Sequence, residues 1–422
     1  MRDKRFPVAG RRFPVGNLCL VPGAWCLFMT ETIHARTAAD VAAVAARVAA
    51  ADSVAFDTEF LWEKSYRPLV CLLQVGIEGL EATVDPLAGA DLGPLWKALV
   101  GGPVVLVHAG AHDFDILQRH AGRLPARVFD TQVAAGFLGY GDSTGYGNLV
   151  GAALNQSVRG GEGYTDWSRR PLGTEQIDYA LEDVRHLHAL WRTLEAGLEK
   201  RGRRDWAEEE TTRRFQGIGI DMDPADAWRR VADARKMRGK ALAILREIAA
   251  WREEEAMRRD EGRQRLVPDR VLIEVARRAP TDPAQVAALR GLHPGQAKVV
   301  AGPLAEAVRR AGSVPEGEWP RWPPPRPFGN DPRVDAIASL LHGVVRSRAA
   351  DMDLAPGLLG TRGDLEELAR MLLAHELDAV SDLPLLTGWR RTAAGEEVLR
   401  VLRGEVSVRI GDGPGGPHLE IG

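Results

Sequence analysis

Two carboxylates, Asp57 and Glu59, stand two residues apart at the end of the apolar run Ser53 to Phe56. If that run is a strand, its period of two turns both carboxylates to the same face of a sheet. Asp113 follows a second apolar run, VVLVH, and the turn Ala109-Gly110, which places it in the first turn of a helix. Tyr179 and Asp183 lie four apart in TEQIDYALEDVRHL, so on a helix they share a face, roughly 40° apart. Carboxylates gathered in one place repel one another, and a hard divalent cation such as Mg²⁺ relieves that repulsion. Two such cations about 3.5–4 Å apart can clamp a phosphodiester, one serving the attacking water and the other the leaving 3′-oxygen. A phenol with an ordinary pKa of about 10 is a poor base at neutral pH, so Tyr179 is suited to holding the attacking water in line. Taken singly, each residue has an ordinary explanation: a strand end meeting solvent, a helix-face pair, or an acid favoured at a helix N-terminus. Only their order and context together carry a signal.

The elements that would hold these residues are visible in the pattern. Residues 53 to 107 carry the strand-like runs SVAFDTEF, LVCLLQVGI, EATVD and PVVLVH, broken by Gly, Pro and Asp turn signals. Asp91 to Val100, His112 to Ala121 and Thr174 to Ala196 read as helices. Strands followed by helices that alternate with strand pieces predict an α/β sheet domain over residues 29–200. From Ala225 the pattern is helical, with Ala227 to Arg258, Asp269 to Arg278 and Gly295 to Ala311 making a separate domain over residues 225–312. Residues 313–332 contain EWPRWPPPRPFGNDP, whose proline density excludes helix and predicts a semi-rigid linker. Residues 333–422 make a second helical unit through Val334 to Ala350, Leu365 to Ala374 and Ala394 to Arg403. EVSVRIGD and HLEI close it as a hairpin, turning at Gly413 to Pro417.

With 422 residues, 45% of them hydrophobic, the chain can bury two or three cores. A net charge of −3 does not announce a nucleic-acid binder, so any polyanion site must be local or metal-assisted. Cys19, Cys26 and Cys71 are too few and too scattered for a zinc site or a disulfide framework, which points to a reducing compartment. No apolar stretch approaches the roughly 20 residues of a membrane helix. Basic residues from Arg2 to Arg12 precede the apolar run Leu18 to Phe28, superficially like a secretory signal, but Pro22 and Gly23 interrupt it. Met29 then opens the amphipathic segment TETIHARTAADVAAVAARVAAAD. Residues 1–28 are therefore read as a mis-assigned start or a disordered extension, and the protein as cytoplasmic.

The chain resembles ribonuclease D, in the tyrosine-bearing branch of the exonuclease superfamily named for its four acidic residues. The resemblance runs through DTEF (57–60), SYRPLVCLLQVG (65–76), DPL (85–87), HAGAHDFDIL (108–117), FDTQVAAGFLG (129–139) and TDWSRRPLGTEQIDYALEDVRHL (165–187). It implies a ribonuclease H-like fold, a mixed sheet flanked by helices with the site at its centre. It also implies Asp57, Glu59, Asp113 and Asp183 as ligands of two divalent cations, Mg²⁺ or Mn²⁺, with Tyr179 orienting the water. Asp113 is preferred to Asp115 because it holds the family's position in the HAG-x-x-D run. Many relatives carry a lysine shortly before the Asp-Trp pair, where this chain has Ser157-Val158-Arg159-Gly160-Gly161. Phe60, Tyr66 and Trp167 lie beside the motifs and are candidates to stack on a terminal base; His108, at a strand end, is a weaker candidate for substrate contact.

Residues after Ala225 resemble the helicase-and-RNase-D C-terminal (HRDC) domain, and residues 333–404 a more divergent copy, giving two all-α HRDC-like domains. Arg229, Arg230, Arg235, Lys236, Arg238 and Lys240 form the densest basic stretch, a phosphate-contacting surface or simply a solvated helix face. The activity implied is 3′→5′ removal of nucleotides as 5′-monophosphates from RNA, such as tRNA precursors and small structured RNA 3′ ends. DNA as the polymer, and a non-catalytic RNA-binding scaffold, are the alternatives.

Overall fold

The chain enters the fold on β1 (Glu31–Ala35), after which Thr37 caps α1 (Ala38–Ala49). The Thr37 hydroxyl accepts from the Asp40 amide and the Asp40 carboxylate accepts from the Thr37 amide, a capping box that fixes where the helix begins. The segment read as one amphipathic stretch from Met29 is thus a short strand followed by a helix. The computed structural model describes residues 30–62, 65–159, 165–324, 326–329, 331–377, 382–413 and 416–422, so the extension read into residues 1–28 lies outside them.

After β2 (Ser53–Leu61), β3 (Leu69–Ile77) and β4 (Leu80–Val84) come α2 (Gly93–Leu99), β5 (Val104–Val107), α3 (Ala111–Ala121), β6 (Val128–Asp130), α4 (Thr131–Gly136) and α5 (Tyr146–Leu154). They are followed by α6 (Thr174–Arg185), α7 (Leu187–Lys200) and α8 (Arg204–Phe215). The sheet runs β1-β4-β3-β2-β5-β6, with β1/β4, β2/β5 and β5/β6 parallel and β3/β4 antiparallel. This is the mixed sheet the sequence predicts, and β2, carrying Asp57 and Glu59, is an interior strand with β3 and β5 on either side.

The single helix expected over Thr174 to Ala196 is broken at His186, and the cause is a side chain. The Tyr146 hydroxyl donates to the Glu182 carbonyl at 2.9 Å and accepts from the His186 amide at 3.1 Å. Those are the two groups that an uninterrupted helix would bond to each other, so the phenol is inserted into the helical ladder and separates α6 from α7.

By contact the described residues divide into two compact units, one within residues 60–71 and 220–324, the other of the remaining described residues. The smaller unit holds α9 (Gly239–Arg259), α10 (Arg263–Leu266), α11 (Asp269–Arg278), α12 (Pro283–Ala287) and α13 (Pro294–Gly312). Their apolar faces meet in one core that includes Trp228, Leu245, Ile248, Leu272 and Leu304. The helix expected from Ala227 begins only at Gly239; two 3₁₀ turns, Pro224–Arg230 and Ala234–Lys236, precede it. The basic stretch from Arg229 to Lys240 is therefore a pair of turns and a helix start rather than a helix face. Trp322, from the expected linker, packs edge-on against Trp228 at 4.5 Å and donates its indole N–H to the Ala234 carbonyl at 3.3 Å. The first half of that linker is thus part of the helical unit.

The larger correction concerns residues 333–422. They form α14 (Pro332–Asp351), α15 (Pro356–Leu359), α16 (Arg362–Ala374), α17 (Gly388–Arg390), a π-turn (Arg391–Gly395), α18 (Glu396–Leu402) and the antiparallel hairpin of β7 (Val408–Gly413) and β8 (Gly416–Ile421). The helices and the hairpin are as expected, but the independence is not. Leu341, Leu358, Leu385 and Trp389 share one hydrophobic core with Phe137, Leu190 and Leu194 of the α/β domain. Trp389 lies edge-on to Phe137 at 4.8 Å and stacks on Trp206 at 5.3 Å. The buried Arg390 guanidinium bonds both the Leu358 carbonyl and the carboxylate of Glu210, which is only 1% exposed. Helical periodicity shows that a face is buried but not against what, which is why these helices read as a domain of their own.

Candidate active site and metal centre

Strand period and helix period do what the sequence requires of them. Asp57 and Glu59 project from β2, Asp183 from the last turn of α6, and one oxygen from each of the three lies within 4.8 Å of the other two. Asp113, in the first turn of α3 and 6% exposed, accepts a 2.5 Å hydrogen bond from the Thr58 hydroxyl, so β2 grips α3 through the residue between its two carboxylates. Asp115 faces elsewhere, paired with Arg119 at 2.9 Å and accepting from the Gly219 amide at 3.0 Å.

The electrostatics of this cluster are those of charge confined without compensation. Burial, then repulsion by Asp113, Asp183 and Glu59, holds Asp57 well above the usual carboxylate range. Burial, then Asp183 and Asp113, pushes Glu59 up to about 8. Burial, then the charges of Glu182 and Asp113, brings Asp183 to about 7. Burial also raises Asp113 to about 6, with the Thr58 hydrogen bond opposing it. Burial and the charges of Asp183, Glu59 and Asp57 raise Tyr179 above its ordinary value, so it is a protonated phenol that faces the carboxylates.

Neighbouring acids are treated differently. Asp85 receives a bidentate Arg170 guanidinium at 2.7 and 2.8 Å, Glu81 receives Arg185 at 2.9 Å, and Glu182 pairs with Arg185 and His186. Among the described residues no arginine or lysine bridges to Asp57, Glu59, Asp113 or Asp183. A donor set of carboxylate oxygens alone, left without organic cations, fits a hard divalent metal such as Mg²⁺, Mn²⁺ or Ca²⁺.

The expected substrate contacts fare unevenly. Phe60 is part-exposed and edge-on to Trp62 at 5.8 Å. Tyr66 is taken: its hydroxyl donates to Glu253 at 2.5 Å and the Arg263 guanidinium lies 5.3 Å over its ring, inside the helical unit. Trp167 is 2% exposed, so it offers no open face to a base; its ring lies 6.1 Å from that of Tyr179 and backs it. Thr131 donates its hydroxyl to the Val107 carbonyl, so it can only accept from His108 Nδ1 at 2.9 Å. Burial lowers the His108 pKa, and its ring meets Tyr146 edge-on at 5.6 Å. His108 is therefore a neutral support for Tyr146. Of the segment that departs from the family's lysine, residues 157–159 are described, and Gly160 and Gly161 lie outside the described residues.

Sequence reasoning missed Tyr146 and Arg170. Tyr146 fixes the end of α6 two residues beyond Asp183, a contact nothing near Tyr146 in the chain discloses. Arg170 ties the segment leading into α6 to Asp85 at the end of β4, and these are the RRP and DPL stretches of the resemblance, now with a physical reason. Arg-Pro beside an acid-Pro turn was the available signal.

Comparison with known proteins bears on the domain that holds these residues. A family model described as 3′-5′ exonuclease matches residues 33–199, and an HRDC domain model matches residues 241–308. Ribonuclease D of Gluconacetobacter diazotrophicus is 38% identical over 381 residues, covering 89% of this chain and 93% of the relative. Ribonuclease D of Granulibacter bethesdensis is 36% identical over 374 residues, covering 88% and 92%. Among solved structures, Escherichia coli RNase D, described as an exoribonuclease involved in structured RNA processing, superposes with a TM-score of 0.75 at 27% identity, covering 88% of this chain and 98% of that one.

Proposed function

The chain belongs to the ribonuclease D family, and from that membership we propose that it is a 3′→5′ exoribonuclease whose hydrolysis runs through Asp57, Glu59, Asp113, Tyr179 and Asp183. The observation that carries the reading is the set of carboxylate oxygens gathered within 4.8 Å, without an organic cation among the described residues, in front of a protonated phenol. The four carboxylates would hold two divalent cations, Mg²⁺ or Mn²⁺, which when bound supply Lewis acidity to the scissile phosphate and lower the pKa of the attacking water. Tyr179 keeps its proton and orients that water by a hydrogen bond, in line with the leaving oxygen. The water oxygen bonds to phosphorus as the bond to the penultimate 3′-oxygen breaks. That oxygen leaves with a proton as a new 3′-hydroxyl, and the terminal nucleotide departs as its 5′-monophosphate. Phe60, next to Glu59 in the chain, would stack on the terminal base. The basic turns from Arg229 to Lys240 add phosphate contacts that suit structured substrates, tRNA precursors and other small RNAs. We place this activity in the cytoplasm, a reducing compartment that suits a chain with only three cysteines.

The test is digestion of matched RNA and DNA oligonucleotides, labelled at the 5′ end, with chelator, Mg²⁺ or Mn²⁺. Stepwise shortening of RNA from the 3′ end, only with metal, and release of mononucleotides is the expected result. Preference for DNA would transfer the same mechanism to the other polymer, and binding of RNA without shortening would leave a scaffold.

A further inference from the structure

Gln74 stands in the middle of β3, fully buried, and among the described residues neither its amide oxygen nor its amide nitrogen has a hydrogen-bond partner. Its surroundings follow from register. β3 is the neighbour of β2 in the sheet, and the seven residues 62–68 between them are too few for a crossover, so the two strands are antiparallel. A Cβ on Gly76 would lie 3.3 Å from the Ala55 Cβ and 3.6 Å from the Val184 Cβ, which puts Gly76 opposite Ala55 on the face that α6 covers. Two residues along, on the same face, Gln74 is opposite Asp57. On its other side Gln74 pairs with Thr83 of β4, whose hydroxyl meets His34 Nδ1 at 3.0 Å. The same register sets the apolar Leu72 opposite Glu59, so of the two β2 carboxylates Asp57 is the one that faces a polar residue of β3.

We propose that Gln74 is a positioning residue for the metal centre, its carboxamide, unpartnered in the metal-free chain, donating to the Asp57 carboxylate when metal is bound and fixing which oxygen Asp57 turns to it; this rests on the metal-dependent reading given above. A buried carboxamide with nothing to bond costs stability that an apolar side chain of its size would not. A carboxylate that ligates a cation with one oxygen keeps the other as an acceptor, and a donor that engages it sets the rotation of the group and strengthens binding. Asp57 is the acceptor that register places beside the orphaned amide.

The experiment uses the full chain without RNA: Mn²⁺ binding by calorimetry, and thermal unfolding in chelator, for wild type, Gln74→Met, Gln74→Leu and, as reference, Asp57→Asn. Gln74→Met and Gln74→Leu should weaken Mn²⁺ binding about 10- to 100-fold, while melting in chelator at or above the wild-type temperature. Their turnover should recover at saturating Mn²⁺ with the KM for RNA unchanged. Wild-type Mn²⁺ affinity in both variants, or weakened affinity in variants that also melt well below wild type in chelator, overturns the assignment to Gln74. An Asp57→Asn protein that binds Mn²⁺ like wild type overturns the metal-centre reading itself, and this inference with it.

Discussion

Replacing Asp183 by the isosteric asparagine should make the metal-free protein more stable, and the size of the effect follows from the site. A carboxyl whose pKa is about 7 in the folded chain and 3.8 ordinarily binds its proton more tightly when folded. The ionised group therefore opposes folding above pH 7, and the penalty disappears as pH falls from about 7 to about 4. At about 1.36 kcal/mol per pH unit the whole displacement amounts to roughly 4 kcal/mol. The amide keeps part of the cost of burial, and the titrations of the four carboxyls are linked, so about 2 kcal/mol at pH 8 is the expected gain. Urea unfolding in chelator at pH 8 and again near pH 4.5 measures it: Asp183→Asn should exceed wild type at the higher pH and converge with it at the lower. Added Mn²⁺ should reverse the order at pH 8, because a ligand that binds only the folded state stabilises it by mass action and wild type has the better site. A variant less stable than wild type in chelator at pH 8 would refute the claim that these carboxylates are held together against their own repulsion.

Tyr179→Phe should lower kcat on the order of 10²-fold with little change in RNA affinity; a KM effect alone would mean that the phenol contacts substrate rather than the attacking water. A fragment of residues 29–200 should be insoluble or aggregate on gel filtration, while residues 29–422 remain monodisperse, because it strips Trp389 and Leu358 from the core around Phe137; a well-folded fragment would show that the shared core is dispensable. Arg390→Ala should cost about 3 kcal/mol in urea unfolding, since Glu210 is left buried with only the more exposed Arg213 and Arg214. A loss below about 1 kcal/mol would show that those two arginines suffice.

The parts of this molecule that were legible in the sequence are those governed by local periodicity. Strand period brings Asp57 and Glu59 to one face, helix period aligns Tyr179 with Asp183, and the mixed sheet follows from runs such as LVCLLQVGI. What was not legible depends on partners far away in the chain. Tyr66 looked free to stack because it follows the DTEF motif closely, but its partner Glu253 is 187 residues on. The same distance hides the docking of residues 333–422, since α14 and α16 have the amphipathic pattern of any bundle helix. Trp167 was misread for a different reason: adjacency to a motif says nothing of burial. The glutamine within the otherwise apolar β3 was a visible anomaly, a polar group in a strand covered on both faces.

Charge matching explains why the site could be recognised before its supports. Around α6 the arginines are distributed selectively: Arg185 neutralises Glu81 and Glu182, and Arg170 neutralises Asp85. The Arg185–Glu81 and Arg170–Asp85 pairs tie a helix and a loop to the sheet, and each could be exchanged for an apolar contact without changing the chemistry. Among the described residues the four carboxylates between them have no such partner, so they are destabilising as they stand and have meaning only if a cation of another kind takes the place of arginine. A search for function in this fold does well to ask which buried acids the chain has left unpaired, because an arginine placed near Asp57 would relieve the same repulsion and occupy the position that the metal needs.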